Sequence, residues 1–180
     1  SQIVPSMSTY IIINIFINYV FNGVKMKILI YGLPGSGKTT LAEPLAKLIN
    51  GVHLNADQVR EKYEGPDKSK WDFTEAGRHI QSVRMRYLAE GVEMADKVAV
   101  ADFVCPTEEL RKAFGADFTI WMDTIKKGRF ADTNAIFQKP NKSDVDYHVA
   151  KWFDDTHTQL VPVINRYMEI MKKHEINKRD

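Results

Sequence analysis

The sequence has little cysteine and little net charge. It contains one cysteine, Cys105, among 180 residues, which excludes an internal disulfide framework and a zinc site built from several cysteines. The 25 basic and 23 acidic side chains leave a formal net charge of +2. A nucleic-acid-binding domain would show a strong basic excess, and an acidic disordered chain would show the opposite. We therefore expect a globular, cytoplasmic protein with no nucleic-acid partner.

The first 24 residues carry no charged side chain, and Lys25 is the first. The apolar run at 10–22 has thirteen residues, three of them asparagine, whereas a transmembrane helix needs about 20 apolar residues. A secretory signal would begin with basic residues, and a membrane role is not expected. The β-branched and aromatic residues of this run give it a high strand propensity. We interpret residues 1–25 as an uncharged extension, either a leader or an arm of a homodimer, and residues 26–180 as one domain.

A phosphate-binding loop follows the first apolar strand of that domain. Residues 27–31, KILIY, are typical of a buried parallel strand, and GLPGSGKTT follows directly at 32–40. This is the G-x-x-x-x-G-K-[ST] pattern, whose glycines let backbone N–H groups converge on phosphates. Lys38 brings a positive charge to the β- and γ-phosphates, and the Thr39 hydroxyl ligates Mg²⁺. The pattern predicts ATP and Mg²⁺ as cofactors. The predicted nucleotide-binding residues are Gly32, Leu33, Pro34, Gly35, Ser36, Gly37, Lys38, Thr39 and Thr40.

Apolar runs and helical patterns alternate along the rest of the chain. They predict strands at 52–54, 97–103, 117–122 and 147–149, with helices after the P-loop, from Asp57, from Thr74, from Thr107 and over 154–174. This alternation favours an α/β protein, a P-loop NTPase fold with a parallel five-stranded sheet and helices on both faces. Ligands of such sheets bind at the carboxyl ends of the strands. We therefore expect the P-loop, residues 55–57, residues 102–106 and Asp123 with the polar segment after it to converge on one crevice.

Several side chains near this crevice are candidates for handling a phosphoryl acceptor. Asp57 follows the second strand, and its carboxylate could accept the proton of an acceptor hydroxyl, or alternatively cap a helix. Arg60 lies one helical turn later on the same face. Arg78, Gln81 and Arg84 recur along one face of the long helix, where arginines could clamp an anion or form a solvated surface. The residues alone leave these alternatives open.

Five motifs in the same order resemble the adenylylsulfate (APS) kinases, P-loop enzymes that transfer the γ-phosphoryl group of ATP to the 3′-hydroxyl of adenylylsulfate. The resemblance spans about residues 26–123. The family's G-L-x-G-S-G-K-T-T appears as GLPGSGKTT, its L-D-G-D-N-V-R as LNADQVR at 54–60, and its F-S-x-x-D-R-x-E-N-I-R-R as FTEAGRHIQSVR at 73–84. Its A-F-I-S-P appears as DFVCP at 102–106, and its V-F-V-D-T as IWMDT at 120–124.

The resemblance implies a role for each matching residue. Lys38 and Asp57 are the implied catalytic residues, and Thr39 and Asp57 the implied metal-binding residues. Arg60 and Arg78 would hold the phosphosulfate end of the substrate. The substrate-binding residues that the resemblance implies are Asp57, Arg60, Phe73 (stacked on the adenine), Arg78, Gln81, Val104 and Cys105. The implied partners are small-molecule nucleotides.

The sequence also departs from the family pattern. Asn55 replaces the first acid of D-G-D, and Gly77 replaces the aspartate before Arg78. The family's lid motif R-D-P-K-G-L-Y is absent after Asp123, where KKGRFADTNAIFQKP stands instead. Arg129, Lys139 and Lys142 are candidates for the cationic role of that lid.

These observations predict an adenylylsulfate kinase-like phosphotransferase of sulfate assimilation. Two alternatives remain open at this point. One is a small P-loop kinase for another hydroxyl acceptor, such as a nucleoside, a sugar or a polynucleotide end. The other is a nucleotide-binding module without catalysis.

Overall fold

Five parallel strands form a single sheet in the order β2-β3-β1-β4-β5. The computed structural model describes residues 6–178, so residues 1–5 of the predicted extension lie outside the described residues. The predicted parallel five-stranded sheet is confirmed, with strand ends within one residue of the predicted ones. The strands are β1 (Met26–Gly32), β2 (Val52–Asn55), β3 (Val98–Asp102), β4 (Phe118–Met122) and β5 (Tyr147–Val149).

The helices begin where capping side chains follow a strand or a loop. The side chains of Asn55, Thr74 and Thr107 each accept a hydrogen bond from a backbone N–H in the first turn of the helix that follows. A six-residue helix in the polar segment between β4 and β5 is an element that the sequence did not predict. The helices are α1 (Met7–Phe21), α2 (Lys38–Leu48), α3 (Ala56–Glu64), α4 (Glu75–Met94), α5 (Glu108–Phe114), α6 (Ala131–Ile136) and α7 (Thr156–Asn177).

Helices cover both faces of the sheet, as predicted. The side chains of β1 alternate between the two faces, so Ile28 and Ile30 belong to one core while Leu29 and Tyr31 belong to the other. The first core is formed with α1, α2 and α7, and the second with α3, α4 and α5. This arrangement leaves the carboxyl ends of the strands, where the P-loop begins, free to form a site.

The predicted extension contains a helix, although its residues have a high strand propensity. Ser6 caps this helix by accepting a hydrogen bond from the Thr9 N–H, and Ile17 and Phe21 are buried in the core formed with α2 and α7. Packing against the domain therefore outweighs the local propensity. Most of the other large apolar side chains of α1 are exposed. Within residues 6–178, no helix is both long enough and apolar enough to cross a membrane.

Candidate active site

A cavity of about 500 Å³ lies at the carboxyl edge of the sheet. The P-loop, the ends of β2 and β3, the start of α4 and residues 129–133 all contribute to its wall, so all four predicted groups take part, the fourth through its polar segment alone. Asp123 does not line it, because its carboxylate contacts His148 and Lys126 instead. The predicted site residues that line the cavity are Pro34, Gly35, Lys38, Thr39, Asp57, Arg60, Phe73, Arg78, Gln81, Val104 and Cys105.

The P-loop backbone supplies the other predicted nucleotide-binding residues. Gly32, Leu33, Ser36, Gly37 and Thr40 belong to the loop without lining the cavity. Gly35 and Gly37 have φ angles of 88° and 93°, which side-chain-bearing residues rarely adopt. A Cβ at Gly32 would lie 2.5 Å from the Met122 carbonyl oxygen. The glycine pattern is therefore required by backbone shape and by close contact with β4.

The Lys38 side chain folds back onto the P-loop, where its Nζ donates a hydrogen bond to the Leu33 carbonyl at 3.0 Å. Burial lowers the pKa of this ammonium group to about 8, an effect that the carboxylates of Asp102 and Asp57 oppose and that Arg129 reinforces. A bound phosphate would supply the opposite charge that the buried lysine lacks.

A buried carboxylate faces the P-loop hydroxyl. Asp102, at the end of β3, is 3% exposed and accepts hydrogen bonds from Thr39 Oγ1 and Asn55 Nδ2, both at 3.1 Å, and also contacts His53. Sequence spacing gave no reason to place His53 here, because only the pairing of β2 with β3 brings it to Asp102. Asn55 also caps α3, so Asp57 in the first turn of α3 is not the capping residue.

This group of oxygens suits a magnesium ion. Mg²⁺ prefers oxygen ligands, usually one or two carboxylates together with substrate phosphates and water. Thr39, Asp57 and Asp102 supply such oxygens in the lining of the cavity. Residues 6–178 hold no cluster of three or more His, Cys, Asp or Glu side chains able to hold a metal. An ion here would therefore depend on nucleotide phosphates for much of its coordination.

Two arginines that line the cavity, Arg60 and Arg78, are buried and contact carboxylates. Arg60 is 4% exposed and donates to Glu64 Oε1 and to the Asp72 carbonyl, both at 2.9 Å. Arg84 donates to the same Glu64 oxygen at 2.7 Å, and the Asp72 N–H donates to the other oxygen at 2.8 Å. The interpretation of this helix face as a solvated surface is therefore wrong for Arg78 and Gln81, which are both buried.

Phe73 lies close to the guanidinium groups of Arg60 and Arg78. The Cζ atoms of Arg60 and Arg78 are 4.5 Å and 5.2 Å from the centre of its ring. Arg78 Nε donates to the Phe73 carbonyl at 2.9 Å, and Gln81 Nε2 donates to the Ala56 carbonyl at 3.0 Å. The half-exposed ring faces the cavity rather than filling a core.

The segment between β4 and β5 contributes residues that sequence reasoning largely missed. Arg129, Phe130, Asp132 and Thr133 line the cavity, whereas the other two candidate lid cations, Lys139 and Lys142, do not. The sequence contains no known motif at these positions, and tertiary contacts alone place them.

Cys105 also lines the cavity, but its thiol is unreactive. Burial raises its pKa to about 12, against the weaker opposing effect of Arg111. The thiol therefore stays protonated at neutral pH, and Cys105 forms part of the cavity wall without acting as a nucleophile.

Known proteins with a similar sequence or structure include P-loop kinases. A family model described as an AAA domain matches residues 28–119, just over half of the chain. No curated protein matches the sequence. An APS kinase from Mycobacterium tuberculosis, solved with AMPPNP and APS, is 16% identical, has a TM-score of 0.63, and covers 78% of this chain and 98% of its own.

Other kinases share this fold at similarly low identity. Shikimate kinase from Aquifex aeolicus is 20% identical, with a TM-score of 0.51, and covers 85% of this chain and 98% of its own. A gluconokinase from Sinorhizobium meliloti is 13% identical, with a TM-score of 0.52, and covers 87% of this chain and 98% of its own. The chain therefore has the P-loop kinase fold and belongs to the AAA-domain family.

Proposed function

We propose that this protein is an ATP- and Mg²⁺-dependent kinase that phosphorylates the 3′-hydroxyl of adenylylsulfate. The observation that carries the proposal is a single cavity with two chemically different walls. Lys38 and Thr39 line one wall, and Arg60, Phe73 and Arg78 line the other. Such a cavity would hold a nucleoside triphosphate and an anionic aromatic acceptor at the same time.

The donor wall would bind the triphosphate. Backbone N–H groups of the P-loop and the Lys38 ammonium would hold the β- and γ-phosphates, while Thr39 and Asp102 would orient the metal. When bound, Mg²⁺ would neutralise charge on the transferring phosphoryl oxygens. Arg129 lies close enough to lower the pKa of Lys38, so it can face the same phosphates. Phosphoryl transfer is catalysed mainly by such positioning and charge stabilisation.

The acceptor wall would position the attacking hydroxyl. Asp57 would accept its hydrogen bond, and then its proton, as the new O–P bond forms and the bond from the γ-phosphorus to ADP breaks. Arg60 and Arg78 would hold the phosphosulfate, and Phe73 would contact the adenine. The burial of both arginines supports this role, because a buried cation in a cavity is well placed to bind an anion.

A kinase acting on another hydroxyl acceptor is the second candidate. Asn55 in place of an acid and the absence of the lid motif favour it. Shikimate and gluconate kinases also share the fold, so fold similarity does not select one acceptor.

An acceptor panel distinguishes the candidates. ATP consumption would be measured with adenylylsulfate, shikimate, gluconate, a nucleoside and a polynucleotide end, and the products identified by mass spectrometry. We expect adenylylsulfate to give the highest kcat/KM and a product phosphorylated at the 3′ position. A different acceptor that is faster by orders of magnitude would overturn the proposal, and no turnover with any acceptor would favour a nucleotide-binding module.

A further inference from the structure

Arg78 is already paired inside the protein at the place where an acceptor anion would approach. Its Nη2 lies 3.5 Å from Asp132 Oδ2 and donates to Thr133 Oγ1 at 3.4 Å, while its Nε is used by the Phe73 carbonyl. The Arg78 side chain is 9% exposed, whereas that of Asp132 is 70% exposed. The carboxylate of Asp132 therefore approaches the buried cation from the solvent side.

The other acceptor arginine is held differently. Glu64, the carboxylate beside Arg60, is 13% exposed and is fixed by Arg60, Arg84 and the Asp72 N–H. Asp132 has one long contact to Arg78 and keeps most of its hydration. An exposed ion pair of this kind is weak and easily exchanged, whereas removing one partner of a buried pair is costly. Glu64 is thus a permanent partner of Arg60, and Asp132 is a replaceable partner of Arg78.

The backbone around Asp132 is braced on both sides. Asn134 exchanges two hydrogen bonds of 2.8 Å with the backbone of Gly128. Gln138 donates its N–H to the Pro106 carbonyl at 2.8 Å and accepts from the Glu108 N–H at 2.9 Å. A change of side-chain rotamer is therefore sufficient to move the Asp132 carboxylate away from Arg78 without moving α6.

We propose that Asp132 is a specificity-determining residue of the acceptor site. Its carboxylate competes with the anionic group of the acceptor for Arg78, and this competition lowers the affinity for anionic acceptors while leaving neutral ones unaffected. The proposal deepens the proposed function and rests on it for the assignment of Arg78 to the acceptor. A sulfate or phosphate group would displace Asp132 most readily, because it can engage a guanidinium through two hydrogen bonds.

The test compares binding of an anionic and a neutral probe. Dissociation constants for adenylylsulfate and for adenosine would be measured calorimetrically with the wild type, Asp132→Asn and the control Asp144→Asn. Asp144 is an exposed acid of the same segment that does not line the cavity. We expect Asp132→Asn to bind adenylylsulfate roughly two- to fivefold more tightly, as for loss of an exposed ion pair, with adenosine unchanged and no effect of Asp144→Asn.

Turnover of adenylylsulfate by the wild type, measured on the same preparation, tests the proposed function separately. Tighter binding by Asp132→Asn without turnover would support the role of Asp132 and overturn the acceptor assignment. Turnover with unchanged or weaker binding by Asp132→Asn would overturn the role of Asp132 alone. A parallel gain for adenosine would also overturn it, since a general opening of the cavity would then explain the result.

Discussion

The two walls of the cavity are built in different ways. The donor wall comes mainly from one continuous loop between β1 and α2, held by backbone geometry that requires glycine. The acceptor wall draws Arg60 from α3, Phe73 from a loop, Arg78 from α4 and Asp132 from α6. The first wall is thus determined by local sequence, whereas the second depends on contacts between distant parts of the chain.

Their electrostatics differ as well. Burial lowers the pKa of Lys38 more than the nearby carboxylates raise it, so a bound triphosphate would stabilise the charged form of this lysine. On the acceptor wall, Glu64 and Asp132 already neutralise part of the charge of the arginines. We infer that phosphate binding would mainly complete the donor wall, whereas acceptor binding would exchange one partner for another.

The largest effect should come from substituting Asp57, which we assign to the acceptor side of the reaction. Replacing this carboxylate in Asp57→Asn removes the group expected to accept the hydroxyl proton, and kcat should fall by roughly 10²- to 10⁴-fold. The affinity for ATP should change little, because the P-loop is untouched. Steady-state kinetics and ATP titration would measure both quantities. A large loss of ATP affinity with unchanged kcat would show that Asp57 belongs to the donor wall.

The contrast between local and long-range contacts also explains which features could be predicted from the sequence. The positions of the strands and of the P-loop were predictable because hydrophobic period and glycine spacing are local signals. The placement of His53, Glu64 and Asp132 was not predictable, because each contacts a partner from another part of the chain. The helix in the extension was missed for the same reason, since Ile17 and Phe21 gain their stability from the domain core.

A second prediction concerns the extension, which packs on the core formed with α2 and α7. Phe21 is 4% exposed and Tyr19 is 83% exposed on the same helix. We expect Phe21→Ala to lower the free energy of unfolding by about 3–5 kcal/mol and Tyr19→Ala to change it by less than about 0.5 kcal/mol. Denaturant titration would measure these values, and equal effects of the two substitutions would contradict the packing of this helix on the core.

A chain beginning at Met26 should likewise be less stable but keep its turnover, because no residue of α1 lines the cavity. Turnover would be measured at a temperature where the shortened protein is fully folded. Loss of turnover under that condition would show that the extension shapes the donor wall.

Gly77 offers a way to disturb the acceptor wall alone. A Cβ at this position would lie 2.3 Å from Asp72 Cγ and 2.5 Å from Asp72 O, the carbonyl that Arg60 contacts. We expect Gly77→Ala to displace Asp72, lower stability by about 1–3 kcal/mol and raise the KM for the acceptor while the Kd for ATP is unchanged. Denaturant titration, steady-state kinetics and ATP titration would measure the three quantities.

Gly91 lies on the same helix, and a Cβ added there would meet no atom within 4 Å, so Gly91→Ala is the matched control. It should stabilise the protein by about 0.5–1 kcal/mol, because alanine restricts the unfolded chain. Equal effects of both substitutions on the acceptor KM would mean that the helix as a whole, and not the Asp72 contact, sets this wall.

The smallest effect should be a change in the pH dependence of ATP binding, caused by the titration of Lys38 in the donor wall. Lys38 has a pKa of about 8, so it carries its positive charge below that pH and loses it as the pH rises through 8. The affinity for ATP should therefore fall by up to about tenfold per pH unit above 8.

The effect of Arg129 on this pH dependence can be tested separately. Arg129 is a cation that lowers the pKa of Lys38, so Arg129→Gln should move the fall in ATP affinity to higher pH, independently of any change in the affinity at neutral pH. Lys127→Gln, which removes a neighbouring charge outside the cavity, should leave the midpoint in place. ATP titrations across the pH range would measure the midpoints, and an Arg129→Gln midpoint at or below the wild-type value would place Arg129 away from the donor wall.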